Sequence, residues 1–263
     1  MAIKISGQGA PILLLHSSLS SHRQWSALAA KLVATGRFCV ISADLMGYGD
    51  EPCPQAPRPF SLADEVQCLL ERLPDEIRRQ PFCVVGHSYG GAVALQLALS
   101  KALDVRQLAL FEPVAFHLLK AEPALWHEVT ALADELPKLS SVQAAERFID
   151  YWQKAGYFAA LPTKMQQGLA AQVGKVTLDF EGLSGAPWTF HDYQHRLPMP
   201  VWLGSGLQSR QSAQRIVQLL AGVLPAVQCM NFHCGHMGPV TDAEPINQAL
   251  MQFLTSRLSS GSD

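Results

Sequence analysis

The sequence has no long apolar run, no block of like charge and no concentration of cysteine. Its most apolar stretch, Gly90 to Leu99, is about half a membrane span long and is followed by Lys101. The first apolar run, Ile12 to Leu15, is too short for the hydrophobic region of a secretion signal. These two shortfalls point to a soluble, cytoplasmic protein without a membrane partner. The formal net charge is -2 and no run of Lys or Arg occurs. The electrostatic footprint of a nucleic-acid binder or a polybasic anchor is therefore missing. Six cysteines (Cys39, Cys53, Cys68, Cys83, Cys229 and Cys234) are scattered and form no Cys-x-x-Cys pair. Reduced, mostly buried thiols are the expectation, with no metal site. The glycine-rich segments fit neither the dinucleotide fingerprint nor the phosphate loop, so no cofactor is expected.

What is present suits one large core with room for an insertion: 263 residues, 48% apolar and 16% charged. Short apolar runs alternate with helical patterns, as in a mostly parallel sheet covered by helices. The expected strands are Pro11–Leu15, Phe38–Ala43, Phe82–Val85, Gln107–Phe111, Val201–Gly204 and Val227–Phe232, each apolar throughout as buried parallel strands are. Helices are expected near Gln24–Thr35, Ser61–Leu73, Tyr89–Ala102 and Ser212–Leu224. The rhythm breaks between about Val114 and Gln194, a stretch rich in aromatics such as Phe116, Trp126, Trp152, Phe180 and Trp188. Its helical spacing predicts an insertion over 114–195 between a first core part, 1–113, and a second, 196–263. The segment Pro52 to Pro59 carries four prolines and reads as a loop, and the tail Ser259–Asp263 reads as disordered.

The strongest motif is Gly86-His87-Ser88-Tyr89-Gly90, placed after an apolar strand and before an apolar helix. A serine on such a strand-turn-helix elbow projects its oxygen above the sheet, with the helix N-terminus behind it favouring negative charge. Gly86 and Gly90 are needed because side chains would collide across the turn. The plainer alternative is a tight turn without catalytic meaning.

With these residues in view, the chain resembles the α/β-hydrolase superfamily, a mostly parallel sheet flanked by helices with a helical lid insertion. Leu14-Leu15-His16-Ser17-Ser18 followed by Trp25 is similar to the family's first oxyanion segment, with Ser17 where glycine is usual. The resemblance implies an oxyanion hole made of the backbone N–H groups of Ser18 and Tyr89. Losing one such donor typically costs about 3 kcal/mol of barrier stabilisation. Asp44-Leu45-Met46-Gly47-Tyr48-Gly49 resembles the family's Asp-x-x-Gly-x-Gly loop, in which the aspartate is structural. Gly235-His236-Met237-Gly238-Pro239 resembles the histidine loop, which makes His236 the expected base ahead of His233. His16 and His87 are expected to orient loops.

The family's usual acid position, after Val201-Trp202-Leu203-Gly204, holds no carboxylate, and none occurs between Asp192 and Asp242. Glu112, which lies 24 residues after Ser88 at the end of another strand, is the expected substitute. A subgroup of haloalkane dehalogenases resembles this placement. The alternatives are Asp192, Asp242 or a Ser–His dyad. A serine at the elbow implies an acyl-enzyme and hydrolysis of a small or medium, largely apolar carboxylic ester. Two other uses stay open: carbon–carbon hydrolysis or acyl transfer at the same site, and ligand binding without catalysis. The expected partner is a small-molecule substrate, with no nucleic acid, and the chain is a monomer or a dimer.

Overall fold

The computed structural model describes residues 3–53 and 59–256. Most of the Pro52–Pro59 loop and the whole Ser259–Asp263 tail lie outside the described residues. Seven strands form one sheet: β1 (Ile3–Gly7), β2 (Ala10–Leu15), β3 (Phe38–Ala43), β4 (Phe82–His87), β5 (Val105–Phe111), β6 (Val201–Gly206) and β7 (Val227–Phe232). Their order is β1-β3-β2-β4-β5-β6-β7, and all neighbours are parallel except β1 with β3.

Continuously apolar strands follow from two covered faces. Leu13, Leu15, Val84, Leu108 and Leu110 enter one core cluster, while Ile12, Leu14, Val85, Ala109 and Trp202 enter the other. Successive side chains point to opposite faces, so a strand buried on both must be apolar at every position. Helices α1 (Ser26–Ala34) and α12 (Ala243–Thr255) cover one face. The other is covered by α2 (Leu62–Arg72), α4 (Tyr89–Leu99) and α10 (Gln211–Val223), with α3 (Asp75–Arg78) a single turn beyond α2. Ser61 caps α2 in a reciprocal box with Asp64.

Between β5 and β6 the described chain is helical: a 3-10 turn at Phe116–Ala121, then α5 (Pro123–Glu135), a 3-10 turn at Leu136–Lys138, α6 (Ser141–Trp152), α7 (Thr163–Gln172), α8 (Gly174–Gly185) and α9 (Phe190–Arg196). One more turn, α11 (Gly238–Thr241), precedes α12. Among the described residues no helix is long and apolar enough to cross a membrane.

Three expectations need correction. The strand β1 and the helix α12 had no counterpart in the sequence reading. β1 is an edge strand of only five residues whose IKISG pattern leaves it mostly exposed. β7, read as buried throughout, is the opposite edge, and only Phe232 in it is buried. The cysteines are not mostly buried either. Only Cys83 and Cys234 are, Cys53 and Cys229 are exposed, and all six are free.

Parallel register sets up the site. His87 of β4 pairs with Phe111 of β5, which pairs with Gly204 of β6. The next residue on each strand is therefore Ser88, Glu112 and Ser205, side by side at the carboxyl edge of the sheet.

Candidate active site

Ser88 leaves β4 in a left-handed conformation, φ 54° and ψ −118°, before α4 begins at Tyr89. Such a backbone costs a non-glycine residue of the order of 1–3 kcal/mol and persists only where its surroundings impose it. Here they do. The Ser88 N–H donates to the Phe111 carbonyl at 3.0 Å, and the Ser88 carbonyl accepts from Ala92 at 3.1 Å. The turn is closed so tightly that a β-carbon on Gly86 would stand 2.5 Å from the Gly90 carbonyl.

Glu112 repeats the pattern one strand away. It has φ 43°, its side chain is fully buried, and its N–H donates to the Gly204 carbonyl at 3.0 Å. One carboxylate oxygen, Oε1, accepts from Ser205 Oγ at 3.0 Å and from the Gly206 N–H at 2.7 Å. The other, Oε2, lies 2.6 Å from His236 Nδ1. The end of β6, where the resemblance leads one to expect a carboxylate, thus supplies donors to a carboxylate that comes from β5. A buried carboxylate needs such partners, because desolvating it without them costs several kcal/mol.

His236 Nε2 is 2.8 Å from Ser88 Oγ. The ring is held from three sides: by Glu112, by Trp152 of α6 stacked at 4.0 Å and 27°, and through its own backbone. The His236 carbonyl accepts from His87 Nε2 at 2.9 Å, and His87 Nδ1 accepts from Gln24 Nε2 at 3.1 Å. Gln24 Oε1 in turn accepts from both the N–H and the Oγ of Ser17, each at 3.0 Å. Ser17 thus fastens its loop to the histidine loop through Gln24. It is not among the residues with positive φ, so a side chain fits where the family has glycine.

His16 and His87 hold loops, as the sequence suggested. His16 Nε2 accepts from the Leu45 N–H at 2.9 Å while Nδ1 donates to the Ser17 carbonyl at 2.7 Å. Asp44 accepts from the His22 N–H at 2.6 Å, His22 Nδ1 at 2.9 Å and the Asp50 N–H at 3.0 Å, a structural role. His233 is exposed, and Asp192 completes a capping box with Thr189 at the start of α9; neither lines a cavity that Ser88 lines. Asp242 is exposed between α11 and α12. Ser18 and Ser88 line common cavities. Tyr89 opens α4, so its N–H has no acceptor within the helix.

A buried ionic cluster escaped the sequence reading. Lys175 Nζ of α8 reaches Asp179 Oδ1 at 2.5 Å, Glu65 Oε2 of α2 at 3.0 Å and Tyr89 Oη at 3.2 Å. Asp179 Oδ2 accepts from Tyr48 Oη at 2.5 Å and Ser18 Oγ at 2.6 Å, and Tyr89 Oη donates to Glu65 at 2.8 Å. The rings of Tyr89, Phe60 and Tyr48 surround the ammonium at 4.6, 4.8 and 5.3 Å. Burial opposes the charge on Lys175, but Asp179 and Glu65 outweigh it and hold the ammonium above its ordinary range. Burial raises Asp179 despite Lys175 beside it. The side chains of Ser18 and Tyr89, whose N–H groups are the expected oxyanion donors, both end in this cluster. Glu65 gave the one available signal, a carboxylate on the face of α2 that carries Leu62, Val66 and Leu69. Among the described residues no three His, Cys, Asp or Glu side chains converge to hold a metal ion.

Comparison with known proteins agrees with this architecture. A family model described as the alpha/beta hydrolase family matches residues 12–249. Lipase LipV of Mycobacterium tuberculosis is 34% identical over 104 residues, covering 40% of this chain and 37% of that protein. The 2-hydroxymuconate semialdehyde hydrolase of Pseudomonas putida is 26% identical over 253 residues, covering 94% of this chain and 88% of that protein. The first curated relatives are matched over only 27% of their length. Among solved structures, the enol-lactonase from Burkholderia xenovorans LB400 superposes with a TM-score of 0.73 at 19% identity, covering 96% of this chain and 95% of that one, a likeness of fold.

Two stability predictions follow from the buried charges. Lys175→Met leaves Glu65 and Asp179 buried without their cation. A loss of about 3–5 kcal/mol in chemical denaturation is expected, and an unchanged midpoint would show that the cluster contributes nothing. Acid has a separate effect. Burial lowers His16 and His117 from 6.5 to about 4. Each binds fewer protons folded than unfolded, so its contribution is complete above about pH 6.5 and is lost as the pH falls towards 4. Each should remove about 2 kcal/mol between pH 7 and pH 5. Denaturant titrations at the two pH values test this, and equal stability at both would refute it.

Proposed function

The chain belongs to the alpha/beta hydrolase family, and from that premise we propose that it is a serine hydrolase acting on a small or medium, largely apolar carboxylic ester. Ser88 is the nucleophile, His236 the general base, Glu112 the acid that orients it, and the N–H groups of Ser18 and Tyr89 form the oxyanion hole. One observation carries this reading: the unbroken chain from Ser88 Oγ through His236 to Glu112, with contacts of 2.8 and 2.6 Å.

In the first half-reaction His236 Nε2 takes the Ser88 proton as Oγ attacks the carbonyl carbon. Charge on the former carbonyl oxygen is met by the two N–H donors, one of them at the start of α4 where the helix dipole adds to it. The imidazolium, steadied by Glu112, then protonates the leaving alcohol. Water repeats the sequence on the acyl-enzyme and releases the acid. The helices between β5 and β6 act as a lid, because α6 carries Trp152 and Phe148 into the cavity that Ser88 and His236 share. That cavity is mostly apolar and of about 270 Å³, the reason for assigning an apolar ester.

A second reading has its own support. The Pseudomonas putida relative, which aligns with 94% of this chain, is named a 2-hydroxymuconate semialdehyde hydrolase. Cleavage of a carbon–carbon bond beside a ketone would use the same serine and histidine.

Wild-type protein should release a burst of p-nitrophenol from p-nitrophenyl acetate and carry an acetyl group on Ser88 by mass spectrometry, whereas Ser88→Ala should do neither. Turnover of a diketone with every ester refused would put the second reading first. Glu112→Gln keeps the shape and removes the charge that steadies the imidazolium. It should lower kcat by about 10²- to 10⁴-fold, the upper figure being the loss in serine proteases that lose this charge. Activity near wild type would remove Glu112 from the mechanism.

A further inference from the structure

The serine lies between two cavities of very different size. The outer one, of about 270 Å³, is lined by Ser18, Ser88, Trp152, His236, Met237 and Val240 among others. The inner one, of about 10 Å³, shares Ser18, Ser88, Phe148 and Trp152 with it but is closed by Val114, Phe116, Val176, Asp179, Phe180 and Leu183. A volume near 10–15 Å³ holds about one water-sized group. His236 lines the outer cavity and does not line the inner one.

That asymmetry assigns the two halves of an ester. The tetrahedral carbon on Ser88 carries the serine oxygen, the oxyanion, the acyl substituent and the leaving oxygen. The leaving oxygen must take a proton from His236 Nε2, so the alcohol occupies the cavity that His236 lines. The oxyanion is committed to the Ser18 and Tyr89 donors. The acyl substituent is left with the inner cavity.

We propose, resting on the serine-hydrolase reading, that this enzyme is selective for a very small acyl group, of acetyl size, joined to a larger apolar alcohol. Ser88 Oγ forms a bond to the acyl carbon, the bond from that carbon to the alcohol oxygen breaks, and the alcohol departs with the proton held by His236. Water then converts the acetyl-enzyme to acetate and returns the proton to Ser88.

The inner wall is held in place from behind. Phe116 is stacked between Trp152, at 6.4 Å and 8°, and Phe180, at 5.5 Å and 12°. Val176, Asp179, Phe180 and Leu183 all belong to α8, and Lys175 and Asp179 tie that helix to α2, Tyr48 and the Ser18 loop. A wall so packed does not open for a longer chain without moving buried ionic contacts.

The test is a matrix of esters on the purified 263-residue chain. With p-nitrophenol fixed as the alcohol, kcat/KM should fall about 100-fold or more from acetate to butyrate. With acetate fixed as the acid, lengthening the alcohol from methyl to hexyl should raise it. Leu183→Ala and, independently, Val176→Ala enlarge the inner cavity and should each raise the butyrate-to-acetate ratio about 10-fold. Either variant suffices if the other fails to fold. Butyrate or hexanoate turned over as fast as acetate would overturn the acyl assignment and leave the serine-hydrolase reading standing. No ester turnover at all, acetate included, would remove both.

Discussion

Parallel pairing of β4, β5 and β6 is the constraint from which the site follows. It brings the residues after His87, Phe111 and Gly204 into one row, and in that row Ser88 and Glu112 turn away in left-handed conformations as their strands end. Neither turn is favourable on its own. Each is fixed by a backbone hydrogen bond to the neighbouring strand, Ser88 to Phe111 and Glu112 to Gly204. The strain of one turn is therefore supported by the strand that carries the next.

The same row explains how a carboxylate at the end of β5 comes within 2.6 Å of His236 Nδ1. A carboxylate after β5 stands beside the usual position after β6, and a histidine on a long loop reaches either. What must change is the environment. The Ser205 hydroxyl and the Gly206 N–H turn towards Glu112 and satisfy the oxygen that His236 does not use. A buried carboxylate lacking those donors would cost more than the histidine contact returns.

The buried cluster of Lys175, Asp179 and Glu65 has a comparable role between layers. It joins α8, one of the helices between β5 and β6, to α2, to the Ser18 loop and to the tyrosine that opens α4. A buried ion pair adds little net stability compared with apolar packing. Its directional bonds do fix where α8 stands over Ser88.

Much of the core could be read from the sequence because its signals are local. Unbroken apolar runs reported strands buried on two faces, and Gly86-His87-Ser88-Tyr89-Gly90 reported an elbow that only small flanking residues permit. The Gly235-His236-Met237-Gly238-Pro239 loop pattern pointed to a histidine that stands 2.8 Å from Ser88 Oγ, and the absence of any carboxylate between Asp192 and Asp242 pointed to Glu112, 2.6 Å from that histidine. Strand β7 was legible with its bounds but not its exposure as a sheet edge, and the short, mostly exposed edge strand β1 went unseen because it lacks the apolar pattern that marks the others. Only the tertiary structure could decide the Glu112 contact, the stacking of Trp152 on His236, the Lys175 cluster and the division of the cavity. Each joins residues dozens to more than a hundred positions apart, and their geometry is set by register and layer packing rather than by any neighbour in the chain.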